Sequence, residues 1–112
     1  MTPETDIDPS DIDPEAADDL INFLSRKWML DTLLVLEKTQ SIRFNELERK
    51  LGNLSSKTLS KRLDALSEQG FVVKEQFQKV PPRTEYRLTE RGQELLDCVT
   101  WLGACATKWD DS

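Results

Sequence analysis

A chain of 112 residues can enclose one hydrophobic core and is too short for two, so a single fold has to account for nearly all of it. Its hydrophobic share of 38% suits a globular protein, and no apolar run approaches the ~18–20 residues that cross a bilayer, which excludes a membrane-spanning reading. The chain has no histidine, which removes the commonest general base and the commonest transition-metal ligand, and its net charge of −6 sets a first condition on any polyanionic partner.

That charge is unevenly placed. Residues 1–19 hold eight acids (Glu4, Asp6, Asp8, Asp11, Asp13, Glu15, Asp18 and Asp19) and no base, whereas residues 43–91 hold eleven bases against seven acids. With Pro3, Pro9 and few large apolar side chains, residues 1–12 cannot bury enough surface to order themselves and are expected to form an acidic mobile tail ahead of a folded domain at 13–112. The start carries neither a basic region nor an apolar stretch of the kind secretory and transit peptides have, so a cytoplasmic location is expected.

Asp13, Pro14 and Glu15 open the first helix with a capping side chain, a preset φ and an acid near the positive end of the dipole. Ala17, Leu20, Ile21, Leu24 and Trp28 then recur at helical spacing, and the stripe runs on into Trp28–Leu36, which is apolar on nearly every side. A central buried helix follows, with a break near Ser25–Lys27 and Trp28 in the core. Phe44, Leu47 and Leu51 mark a third helix, and Leu59, Leu63 and Leu66 a fourth, joined by a turn at Gly52-Asn53-Leu54. Ser55 is placed to cap the fourth helix. Gly70 sits where a left-handed C-terminal residue belongs, so Leu66 and Phe71 should touch in a Schellman motif.

Phe71–Phe77 and Thr84–Leu88 read as antiparallel strands whose connection, with Pro81 and Pro82, is a wing. Thr89 caps a last helix striped by Leu95, Val99, Leu102, Ala106 and Trp109. Cys98 and Cys105 fall two turns apart on it, about 10 Å by the helical rise and too far for a mutual disulfide, and they read as small buried thiols. The expected class is mainly α with a small β-hairpin, a winged helix-turn-helix in the order α-α-α-α-β-β-α.

If Leu59, Leu63 and Leu66 face inward, Lys57, Lys61, Asp64 and Glu68 face solvent. Lysines first and acids last oppose the helix dipole, so stability does not account for the order. A phosphate or base edge brought to the helix N-terminus does, because backbone N–H groups, the hydroxyls of Ser55, Ser56, Thr58 and Ser60, and the ammonium groups of Lys57 and Lys61 would converge on it. A recognition helix enters the major groove in this way. Lys79 and Arg83 flank Val80-Pro81-Pro82 and would present two cations from a stiff loop, while Arg43 and Asn45 at the start of the third helix, together with Arg62, complete a DNA-binding set. Paired carboxylates, a Gly-rich phosphate loop and a CxxC motif are all missing from the sequence, so an enzyme, a metal or a cofactor is not expected.

Lys27-Trp28, Arg43-Phe44-Asn45-Glu46-Leu47, Ser55–Leu63 (SSKTLSKRL), Glu68-Gln69-Gly70-Phe71-Val72 and Val80–Gly92 (VPPRTEYRLTERG) together resemble the HxlR family of winged-helix regulators, within the MarR-like superfamily, over roughly Leu20–Trp109. The resemblance implies a recognition helix at Ser55–Leu66, a wing at Lys79–Arg83 and a homodimer through the first and last helices, at Leu20, Ile21, Leu24, Leu95, Val99, Leu102 and Trp109. The expected function is sequence-specific transcription regulation by a homodimer on double-stranded DNA, with the recognition helices in the major groove one helical turn apart, about 34 Å, and the wing on the backbone or minor groove. A winged-helix module that binds another protein instead of DNA is the rival. Two positions depart from the family: Arg26 stands where a glycine is usual, and the cysteine some members carry ahead of the first helix is missing near Glu15.

Overall fold

The computed structural model of the chain describes residues 8–110. Residues 1–7 of the expected acidic tail lie outside them, and the rest of that segment holds one 3-10 turn, Pro9–Asp11, capped by Asp8. The helices are α1 (Pro14–Leu24), α2 (Met29–Glu37), α3 (Phe44–Leu51), α4 (Ser56–Glu68) and α5 (Glu90–Asp110). The strands are β1 (Ile42–Arg43), β2 (Val72–Phe77) and β3 (Arg83–Leu88).

These strands form an antiparallel sheet in the order β1-β3-β2, so the expected hairpin is the larger part of a three-stranded sheet. In β1, Ile42 pairs with Tyr86 and Arg43 with Glu85. The inner face of the sheet carries the buried Ile42, Val72 and Tyr86, and α2, α4 and the start of α5 supply most of the remaining core. Phe71 does not join β2, because its N–H is already used at the end of α4. Arg83 opens β3 one residue earlier than expected, opposite Phe77.

Asp13 caps α1, accepting from the Glu15 N–H at 3.0 Å. The stripe expected to bury α1 is sorted differently: Phe23 is its one buried residue, Leu24 is half-buried, and Leu20 and Ile21 are exposed. The break before α2 falls where expected, but Trp28 is only half-buried and has φ 74°, which interrupts the stripe. A bulky side chain is strained in the left-handed region, and such a conformation persists only when its surroundings hold it. Two side chains do so: the Thr32 hydroxyl donates to the Trp28 carbonyl at 2.6 Å, and Arg62 Nε donates to the Lys27 carbonyl at 2.7 Å.

At the end of α4, Gly70 has φ 79°, its N–H reaches the Ser67 carbonyl at 3.0 Å, and the Phe71 N–H reaches the Leu66 carbonyl at 3.0 Å, the paired bonds of a Schellman motif. Thr89 ties this end to α5. Its hydroxyl donates to the Gly70 carbonyl at 2.6 Å and accepts from the Gly92 N–H at 3.0 Å, and its own N–H reaches the Phe71 carbonyl at 3.0 Å. A Cβ on Gly92 would stand 2.1 Å from the Phe71 carbonyl oxygen, so the close approach of the two segments requires glycine there. Along α5 only Gly92, Leu95 and Leu96 are buried, so Leu95 is turned into the chain's own core at 8% exposure. Cys98 and Cys105 are half-buried free thiols, more open than expected, since the last fully buried residue of α5 is Leu96. Among the described residues, no helix is long and apolar enough to cross a membrane, and no group of three or more Cys, Asp or Glu could hold a metal ion.

Candidate nucleic-acid interface

The helix-turn-helix is built from α3, a turn and α4. Gly52 ends α3 with φ 81°, Leu54 plugs the turn into the core, and Ser55 caps α4. The Ser55 hydroxyl accepts from the Thr58 N–H at 3.1 Å and donates to the Thr58 hydroxyl at 3.0 Å. Ser56 Oγ donates to Glu48 Oε2, which clips the start of α4 to the last turn of α3. The first contact holds the start of α4, and the second ties it to α3.

The buried line of α4 is Leu59, Leu63 and Leu66, as the spacing predicts. Lys57, Ser60 and Lys61 are therefore exposed, with Asp64 and Glu68 exposed further along. Not every expected contact residue shares this face. Thr58 is half-buried within the cap, and Arg62 is half-buried with its Nε on the Lys27 carbonyl. Arg43 and Asn45 are exposed at the start of α3, Arg43 being also the last residue of β1.

The reversal at Gly70 sets the hairpin beside α4, against which β2 packs. Opposed residues in an antiparallel pair share a face. The register accordingly places Arg43, Glu75 and Glu85 together on the outer face of the sheet, with Arg83 and Arg87 two residues either side of Glu85. Two like charges facing each other at Glu75 and Glu85 would repel, and cations compensate them. Arg87 pairs with Glu75, and Glu85 accepts from Ser41 Oγ and lies 2.9 Å from Arg83 Nε. That last contact has the distance of an ion pair without the angle of a hydrogen bond, and the nitrogen is shielded from solvent. Arg83 thus stands at the base of the wing, not at its tip. Lys79 is exposed in the loop, with Nζ 5.6 Å from the centre of the Phe77 ring.

Sequence reasoning missed Glu48, Ser41, Glu75 and Glu85, whose roles depend on partners distant in the chain. Charge was the only available clue, since acids within a basic stretch need compensating neighbours. Away from this face, Leu20, Ile21, Leu102 and Trp109 are exposed on α1 and α5, with Leu24 and Val99 half-buried. Burial pushes the Cys98 thiol up from its ordinary pKa, and the neighbouring Glu94 and Asp97 carboxylates add to it. A thiol so placed stays protonated near neutral pH and is a poor nucleophile.

A family model described as HxlR-like helix-turn-helix matches residues 23–112. The uncharacterized HTH-type transcriptional regulator YvaP of Bacillus subtilis is 36% identical over 92 residues, covering 81% of this chain and 83% of that protein. Another uncharacterized HTH-type transcriptional regulator, BH0655 of Halalkalibacterium halodurans, is 37% identical over 82 residues, 73% of each chain. Among solved structures, the reduced form of the transcriptional regulator YodB from B. subtilis superposes with a TM-score of 0.78 at 25% identity, over 85% of this chain and 91% of that one.

Proposed function

This chain belongs to the HxlR-like helix-turn-helix family of transcriptional regulators, and from that membership we propose that it binds double-stranded DNA as a homodimer, with α4 in the major groove and the wing alongside. The observation that carries the reading is the exposed N-terminal half of α4. Lys57 is held in solvent at the dipole end that disfavours cations, beside first-turn backbone N–H groups, and Lys61 and the Ser60 hydroxyl are exposed one turn further along. A phosphate reverses that cost, since it is attracted by the lysines and the dipole together. Arg43, Asn45 and Lys79 extend the phosphate contacts. Ser60 would choose among bases, while Ser55 and Thr58 cap α4, Ser56 and Arg62 tie it to Glu48 and to the Lys27 carbonyl, and Arg83 steadies the wing.

The folded unit at 13–112 performs this work as a regulator in the cytoplasm, not as an enzyme. Its partner is a second copy. Ile21 and Leu102, 64% and 61% exposed, leave apolar surface open on α1 and α5 together with Leu20, beside Leu24 and Val99, which pack partly against the core. Pairing through that face would set two α4 helices on successive turns of one side of a duplex.

Selection of a duplex from a random-sequence pool by the wild-type chain, followed by footprinting, tests this directly. Two protected half-sites about 34 Å apart are expected. The double variant Ile21→Glu/Leu102→Glu should sediment as a monomer and lose the paired footprint. Absence of any selected site, or a paired footprint from a monomeric variant, would contradict the proposal.

A further inference from the structure

Glu75 and Glu85 each have an arginine beside them. Glu48, in the last turn of α3, makes no ion pair among the described residues, although Arg49 and Lys50 follow it in the chain. Its carboxylate accepts instead from the hydroxyl of Ser56, the first residue of α4. An anion left uncompensated at this end of α4 repels the phosphates that DNA binding brings there, so it lowers affinity for every duplex alike. Its presence is accounted for if it gains selectivity among duplexes.

What the carboxylate fixes is the direction of one proton. A serine hydroxyl has one hydrogen to donate and two lone pairs, and an ionised carboxylate can only accept. Ser56 therefore commits its proton to Glu48 and keeps only acceptor capacity toward anything outside. Ser56 is exposed, and so is Ser60, one helical turn further along the same side of α4. We infer that Glu48 makes Ser56 an acceptor-only reader of base edges, whose partner in the major groove is the amino group of an adenine or a cytosine. The inference rests on the DNA-binding reading of α4 and deepens it by naming the class of base read at one position.

In the major groove the amino groups of adenine and cytosine are donors, and the keto oxygens of thymine and guanine are acceptors. Each base pair thus has one amino and one keto group there, and an oxygen that can only accept tells A·T and C·G from T·A and G·C. Left free, the hydroxyl would rotate to donate to a keto oxygen or a phosphate as readily as it accepts, and would carry no such preference. The charge on Glu48 acts in the same sense. It repels a phosphate or keto oxygen approaching Ser56 and attracts the positive edge of an amino group.

The test compares the full wild-type chain with Ser56→Ala and with Glu48→Met, which keeps the length of the side chain and removes the strong acceptor. The duplex that wild type selects from a random-sequence pool is varied one base pair at a time, and affinities are read by fluorescence anisotropy at one salt concentration. Wild type should favour adenine or cytosine over thymine or guanine about three- to tenfold at one position of each half-site, the range for a single hydrogen bond. Both variants should bring that preference to within about twofold, at that position and no other. Glu48→Met should also bind unrelated duplexes more tightly than wild type, and Ser56→Ala should not. A contact that only clipped α3 to α4 would behave differently, since its loss would lower affinity for all duplexes and blur every position. A Glu48→Met chain with wild-type base preferences, or with preferences lost evenly across the site, overturns the inference and leaves the DNA-binding reading standing. So does a Ser56→Ala chain with wild-type preferences, and that substitution disturbs no core contact. Failure of wild type to select any duplex overturns both.

Discussion

Lys61 and Arg62 are adjacent, carry the same charge and lie in the same basic stretch, yet the fold gives them different neighbours. Lys61 is exposed on α4, whereas Arg62, a rotation of 100° further on, reaches 35 residues back to the Lys27 carbonyl at 2.7 Å. The sequence groups them because composition reports charge and not direction. Arg62 closes the break that Trp28 makes at φ 74°, so it holds α1 and the start of α2 against α4. We expect Arg62→Ala to cost about 1.5–3 kcal/mol of stability, the range for a hydrogen bond involving a charged group. A fall of several degrees in thermal midpoint, with the salt slope of duplex binding unchanged, is the expected result. A normal midpoint with a shallower slope would return Arg62 to the DNA face. Ser56 and Thr58 make the same point on a smaller scale: their hydroxyls are legible as polar groups near a helix start, but only coordinates show them engaged with Glu48 and Ser55.

Elements were most legible where a local rule fixes them. The cap at Ser55, the leucine line of α4 and the Schellman turn at Gly70 each depend on residues within a few positions, and each forms as the spacing predicts. The strand β1 was not legible: two residues carry no period, and its partner Tyr86 is 44 positions away. The first helix was half-legible. Its stripe is real, but periodicity cannot say whether an apolar face meets its own core or another surface, and only Phe23 is fully buried, with Leu24 packed partly against the core. The joint between α4 and α5 gives a sharp prediction. Gly92→Ala would press a Cβ to 2.1 Å from a backbone oxygen that Thr89 and the Schellman turn hold in place. Overpacking of this kind costs about 1–3 kcal/mol or more, and here the obstacle is backbone, which cannot rotate away. A large drop in denaturation midpoint is expected, and a midpoint within a degree of wild type would show that the joint yields.

At the scale of the whole molecule, an acidic protein is read as a DNA binder because its charge is divided. Residues 1–19 hold eight of the 21 acids and no base, and eleven of the 15 bases lie from Arg43 to Arg91, across α3, α4 and the wing. This division was visible in the sequence, as was the excess of apolar surface on α1 and α5. What the sequence could not supply was the sorting of that surface, with Leu95 taken into the core and Ile21 and Leu102 left outside. We propose that DNA binding turns on the lysine end of α4. Its most direct test is the affinity of the Lys57→Ala/Lys61→Ala chain for the selected duplex, followed from low to high salt beside wild type. Removing the two ammonium groups should weaken binding to selected and unrelated duplexes alike and reduce the salt slope by about two. A correctly folded double variant with wild-type affinity and slope would contradict the assignment.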